Sequence, residues 1–222
     1  MSEDDARVEI CRIGKSLFDR GYAHGTAGNI SVRLAGDAGY LVTPTDACLG
    51  FLEASRLAKL DVDGRQVAGD RASKSMALHA QIYAAAREFD PATACIIHTH
   101  SAHCVALTLG SHGEELLAPI TPYFVMKVGH VPIVAYDRPG APDVARAAGG
   151  TIRRYGERGT PIRALMLERL GPNVWHETPA SAMAVLEELE ETARLVCLRG
   201  GATAPLGEPE IEALRKAFAA RW

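Results

Sequence analysis

Apolar residues recur at helical spacing from the start of the chain. Ala6, Ile10, Ile13, Leu17 and Phe18 fall on one face, Ser2 with Asp5 three residues on caps the start, and Gly21 stops the helix. The pattern then changes to short β-type runs. Tyr40-Leu41-Val42-Thr43 reads as a strand before the turn Pro44-Thr45-Asp46, and Leu60 to Val67 reads as a hairpin closed by Asp63-Gly64. Met76, Leu78, Ile82 and Tyr83 predict an amphipathic helix to about Arg87, and Cys95-Ile96-Ile97 predicts a buried strand. A short helix is expected from Ala102 to Leu109. Thr121 to Met126 leads into a strand over Val131 to Tyr136, closed by Arg138-Pro139-Gly140. Asp143 to Tyr155 reads as helix, Ala164 to Leu167 as a buried strand, Gly171-Pro172 as a turn and Asn173 to Trp175 as a return strand. A long helix follows from Pro179 to about Leu198, with the glutamates of residues 187–191 as its solvated face. A last helix runs from Glu208 to Trp222. With no repeat and no linker, residues 1–222 are expected to form one domain.

Composition narrows the function classes. The chain has 222 residues, 47% hydrophobic and 23% charged, with a net charge of −3 and a pI near 6.2. Neither a nucleic-acid nor a membrane-surface partner is expected from that balance. The acidic N-terminus does not resemble a signal, no apolar run is long enough to span a bilayer, and five scattered cysteines without C-x-x-C read as reduced core residues. A cytoplasmic protein is the expectation.

Three stretches carry candidate chemistry. His98 and His100 follow the buried strand, and alternation sends both to one face, about 7 Å apart at the backbone. Such a pair can grip a divalent metal or simply form a hydrogen-bonded pair at a strand end. Gly25-Thr26-Ala27-Gly28-Asn29-Ile30-Ser31 runs from glycines into a strand, leaving backbone N–H groups and the Thr26 and Asn29 side chains for an anion, or making an ordinary tight turn. Ser73-Lys74-Ser75 precedes a helix start, a further anion cradle or a plain cap, with His79 on the same helix face as Ser75.

Taken together, Gly25 to Ser31, Thr43-Pro44-Thr45, Ser73-Lys74, His98-Thr99-His100-Ser101 and Gly171-Pro172 resemble the class II aldolase/adducin family, which contains fuculose-phosphate aldolase. Arg20 to Ala23, Cys48-Leu49-Gly50, Thr121-Pro122-Tyr123, Arg138-Pro139-Gly140 and residues 187–193 look like its 3-oxo-tetronate 4-phosphate decarboxylase branch. The resemblance implies a three-layer α/β fold whose central, mostly antiparallel sheet is flanked by helices. It also implies a homotetramer with sites between subunits, and an ion held by three histidines that stabilises an enediolate during carbon–carbon cleavage or decarboxylation. The phosphate cradle would draw on Thr26, Asn29, Thr45, Ser73 and Lys74.

Transferred residue by residue, the family pattern breaks at three positions. The third metal histidine falls on Leu170, the acid/base glutamate on Ser75, and the glycine after Thr-Pro-Thr on Asp46. Glu168 is the expected substitute ligand beside His98 and His100, with His103 and His176 as alternatives. The metal is Zn²⁺, or Fe²⁺, Mn²⁺ or Co²⁺, or no metal is bound. His79, or Tyr123 reaching a neighbouring subunit, would replace the proton chemistry that Ser75 cannot supply. Asp46 repels a phosphate unless Lys74 or Arg71 offsets it, so a substrate lacking phosphate is also open. The expected activity is aldol cleavage or decarboxylation of a small sugar acid or keto acid. A decarboxylase, dehydratase or iron-dependent oxygenase on a non-phosphorylated substrate is the alternative, and a non-catalytic scaffold a third reading.

Overall fold

The structure, a computed structural model, describes residues 1–110, 112–201 and 203–222. Its centre is an eight-stranded sheet in the order β4-β3-β2-β1-β5-β8-β7-β6. The strands are β1 (Asn29–Arg33), β2 (Tyr40–Val42), β3 (Ala58–Leu60), β4 (Gln66–Ala68), β5 (Cys95–His98), β6 (Ile133–Val134), β7 (Ala164–Leu167) and β8 (Gly171–His176). Every neighbouring pair is antiparallel except β6 with β7, so the mostly antiparallel sheet expected from the family is what the chain builds.

Helices cover both faces. On one side α1 (Glu3–Asp19), α3 (Ala102–Ala106) and α5 (Pro179–Arg199) pack Ile10, Ile13, Leu17, Cys104, Leu186 and Leu189 onto Ile30, Ile97 and Val174. On the other, α2 (Met76–Ala86) and α4 (Pro142–Glu157) pack Ile82, Tyr83, Ala148 and Ile152 onto Ile96, Leu165 and Trp175. The odd–even alternation of β5 decides this division. Cys95 and Ile97 enter the first core, whereas Ile96 and His98 face the second.

Several sequence expectations change. The β3–β4 connection is not a two-residue Asp-Gly turn: Asp61 N–H donates to Arg65 O, and the Asp61 carboxylate accepts from the Asp63 and Arg65 N–H groups. Phe124–Val128 coils as a π-helix rather than leading straight to a strand. Gly171 and Pro172 open β8, the turn lying before them, because Leu167 and Gly171 are already register partners. The last helix, α6 (Glu208–Phe218), ends at a left-handed Ala219, which frees Trp222 to stack on His130 and pack against Phe124. Glu190 is no surface glutamate either. It is 4% exposed and accepts from the His103 and Cys104 N–H groups at the start of α3, where the unpaired amides of a helix end need an acceptor.

Candidate active site

The site forms where β1 and β8 begin and β5 ends, beneath the start of α2. Asn29, His98 and Asn173 are register partners across these three strands, so their side chains form one row on the α2 face. Two glycines let backbones close in around them. A Cβ on Gly28, at φ +87°, would lie 2.8 Å from His98 O, and one on Gly171, at φ +146°, would lie 1.9 Å from Thr99 O.

His98 is 5% exposed, and its Nδ1 donates to Pro172 O at 2.9 Å. A carbonyl only accepts, so Nδ1 carries the proton and Nε2 keeps its lone pair. Burial, then the neighbouring His100, pushes the His98 pKa down to about 4, and burial also lowers that of half-buried His100. The two rings lie 5.1 Å apart between centroids, and His24, absent from the sequence reading, stands 6.2 Å from His100.

The anion-cradle segments converge. Thr45 N–H donates to Arg71 O and Ser73 N–H to Thr43 O, which lays the Thr-Pro-Thr segment against the lead-in to α2. Ser75 precedes α2, and its hydroxyl accepts from Asn29 Nδ2 at 3.0 Å. Thr26 is exposed in the preceding loop, and exposed Asp46 adopts φ +58°, the left-handed conformation for which the family's glycine is suited. Lys74, Ser75 and His98 border a cavity of about 690 Å³ that continues along Leu78, Val144, Leu167, Glu168 and Leu170 to Arg138.

Other candidates fall elsewhere. His79 is fully buried beneath the row, with Nδ1 2.8 Å from Ser31 Oγ, and burial pushes its pKa down to about 3. A ring held neutral by burial is too weak a base to take a proton from a substrate near neutral pH. Tyr123 is 60% exposed and does not line the cavity. His103 Nδ1 is held by Glu190 at 2.8 Å, and His176 pairs with Cys95, three residues along the strands from the His98–Asn173 pair.

The fit of a metal can be tested on the donor set. His98 and His100 offer two neutral imidazoles, and the His98 Nδ1 bond to Pro172 O is the kind of support that orients a ligand. The third position is Leu170, which packs against the apolar cluster of α2 and α4. Glu168 borders the cavity but has other partners: it accepts from Tyr136 N–H at 2.9 Å and lies 3.5 Å from His112 Nε2. Among the described residues, no group of three His, Cys, Asp or Glu side chains lies close enough to hold an ion together. The residues present therefore do not fit a three-ligand catalytic centre, and the expected His98–His100–Glu168 set is not assembled.

Comparison with known proteins places this geometry. A profile of the Class II Aldolase and Adducin N-terminal domain matches residues 8–197. The chain belongs to the class II aldolase/adducin family. The 3-oxo-tetronate 4-phosphate decarboxylase of Cupriavidus necator is 46% identical over 228 residues, covering 100% of this chain and 99% of the relative. The L-fuculose phosphate aldolase of Methanocaldococcus jannaschii is 39% identical over 124 residues, covering 56% of this chain and 63% of the relative. The crystal structure of YgbL from Klebsiella pneumoniae superposes with a TM-score of 0.85 at 40% identity, covering 97% of this chain and 100% of that one. Its relatives make this class II aldolase family member a carbon–carbon lyase. The family generally uses a divalent metal. No helix among the described residues is long and apolar enough to cross a membrane.

The sequence reading missed Asn173 and Glu190. Asn173 lies in a run read only as a return strand, but its odd position on β8, shared with Trp175, was a signal that it faces α2. Glu190 was hidden among four glutamates that look alike until the helix is rotated onto its core.

Proposed function

We propose that this lyase releases carbon dioxide from a small phosphorylated β-keto acid, rather than cleaving an aldol. The observation that carries the reading is Ser75, at the place of the acid/base glutamate, with its hydroxyl accepting from Asn29. Aldol cleavage begins when a base removes a hydroxyl proton, and a serine hydroxyl without a base beside it cannot do that. A β-keto acid needs no such base. Its carboxylate carbon–carbon bond breaks, the electron pair moves into the adjacent carbonyl as an enolate, and the enolate carbon then takes a proton from water, leaving a ketone and CO₂.

Each group has a place in this scheme. Thr26, Thr45, Ser73 and Lys74 hold the phosphate, with Lys74 offsetting the Asp46 carboxylate. Asn29 and Ser75 orient the chain of the substrate, and His98 and His100 face its oxygens. Zinc is the ion that the family resemblance brings to these histidines, and the two-imidazole set leaves it short of a third protein ligand. The chain works in the cytoplasm, in carbohydrate metabolism, as a homotetramer of single-domain subunits. Tyr123 reaches a neighbouring subunit's site.

Steady-state kinetics on a 3-oxo acid 4-phosphate and on a ketose 1-phosphate test the reading. It expects kcat/KM to favour decarboxylation by at least about a hundredfold, the lower end of what a missing general base withholds from aldol cleavage. Comparable turnover of both substrates would contradict it.

A further inference from the structure

Among the described residues, five buried polar side-chain atoms have no hydrogen-bond partner, and all sit on residues of one small region: Asn29 Oδ1, both amide atoms of Asn173, His79 Nε2 and Trp175 Nε1. Asn29, Asn173, His79 and Trp175 are each at most 6% exposed. Leaving such groups unpaired is costly, and native interiors rarely keep several together without a use for them. Asn173 is the extreme case, since it is 0% exposed and neither end of its amide is satisfied. It stands beside His98, with Asn29 on the opposite side. Gly171, one step along the same face of β8, carries no side chain to cover the row. Immediately before it, the position that should supply a metal ligand is an apolar wall, Leu170.

We propose that this chain decarboxylates its substrate without a divalent metal, the Asn29 and Asn173 amides on either side of His98 receiving the oxygens that an ion would otherwise hold. The inference rests on the decarboxylase reading above. An amide N–H presented from a rigid strand in a dry site stabilises the enolate oxygen as an oxyanion-hole donor does. The Asn173 amide, free at both ends, supplies that donor, and Asn29 Oδ1 accepts from a substrate hydroxyl. CO₂ leaves with the bond-breaking step, the enolate collapses by taking a proton from water, and no oxidant, reductant or further group is consumed.

The test follows CO₂ release from a 3-oxo acid 4-phosphate by the full-length protein before and after chelation and dialysis. The expected result is a rate unchanged within about twofold, with no stoichiometric transition metal by elemental analysis. A rate lost on chelation and restored by Zn²⁺ would overturn the inference and leave the decarboxylase reading standing. No release in either state would overturn both. Asn173→Leu, close in volume, should keep or raise Tm while lowering kcat about a hundredfold, as expected for a lost oxyanion donor. An unchanged kcat would remove Asn173 from the scheme. Independently of folding in that variant, Leu170→His should gain one tightly bound Zn²⁺ per chain by equilibrium dialysis over the parent. Equal binding by the parent would contradict the proposal.

Discussion

Asn29 Nδ2 donates to Ser75 Oγ at 3.0 Å, tying the first residue of β1 to the residue before α2. In this arrangement the Ser75 hydroxyl is a hydrogen-bond acceptor that fixes Asn29, not a proton acceptor. Ser75→Ala should therefore lower kcat by less than about tenfold, whereas removing a working general base costs 10²–10⁴-fold. Stopped-flow measurement of single turnovers checks this. A loss of about a thousandfold would make Ser75 a direct participant in proton transfer.

Lys74 is the cation bordering the cavity beside the Ser73 and Ser75 segment. Lys74→Ala should raise KM for a phosphorylated substrate by about 10–100-fold, the range of one charge-assisted hydrogen bond, and leave kcat within about threefold. The effect should shrink for the same acid without its phosphate. KM values for the two substrates, wild type against variant, measure it directly.

His79 gives the stability of the fold a pH dependence of known sign. Its pKa falls from about 6.5 unfolded to about 3 folded, because burial penalises the imidazolium. The unfolded chain thus binds more protons between these values, and stability is full above pH 6.5 and lost progressively as pH falls. Tm by scanning calorimetry should drop from pH 7 to pH 4.5, and His79→Gln should flatten that slope. A variant slope as steep as wild type would assign the dependence to other groups.

Glu190 accepts three hydrogen bonds from the start of α3, two from backbone N–H groups and one from His103 Nδ1. Removing it leaves those donors unsatisfied. Glu190→Ala should cost about 3 kcal/mol in urea unfolding, given roughly 1–3 kcal/mol for each buried group orphaned and partial relief by water. A cost below about 1 kcal/mol would mean that α3 is held by packing alone.

The legibility of this chain followed its periodicity. Helix α1 was readable because its apolar spacing, its Ser2 cap and its Gly21 stop agree, and each is satisfied in the structure, where the Ser2 hydroxyl accepts from Asp5 N–H. The central strand and its two histidines were readable because alternation needs only a local rule. What escaped depends on contacts distant in sequence. Glu190 meets α3 from 86 residues away, and Asn173 matters through the strand that His98 occupies. Glu168 was chosen as a ligand on spacing alone, whereas the path of the chain gives its carboxylate to Tyr136 N–H. The Leu170 and Ser75 departures were visible at once, but the orphaned amides that give them meaning required the packed row.

The most direct measurement of the central claim is a ¹³C NMR time course on a carboxyl-labelled 3-oxo acid 4-phosphate mixed with the protein. The account predicts that the label moves into CO₂ and bicarbonate at the rate at which the substrate disappears, with the remaining carbons appearing as one phosphorylated ketone. Label retained in an organic acid, or a substrate that outlasts the protein unchanged, would contradict it.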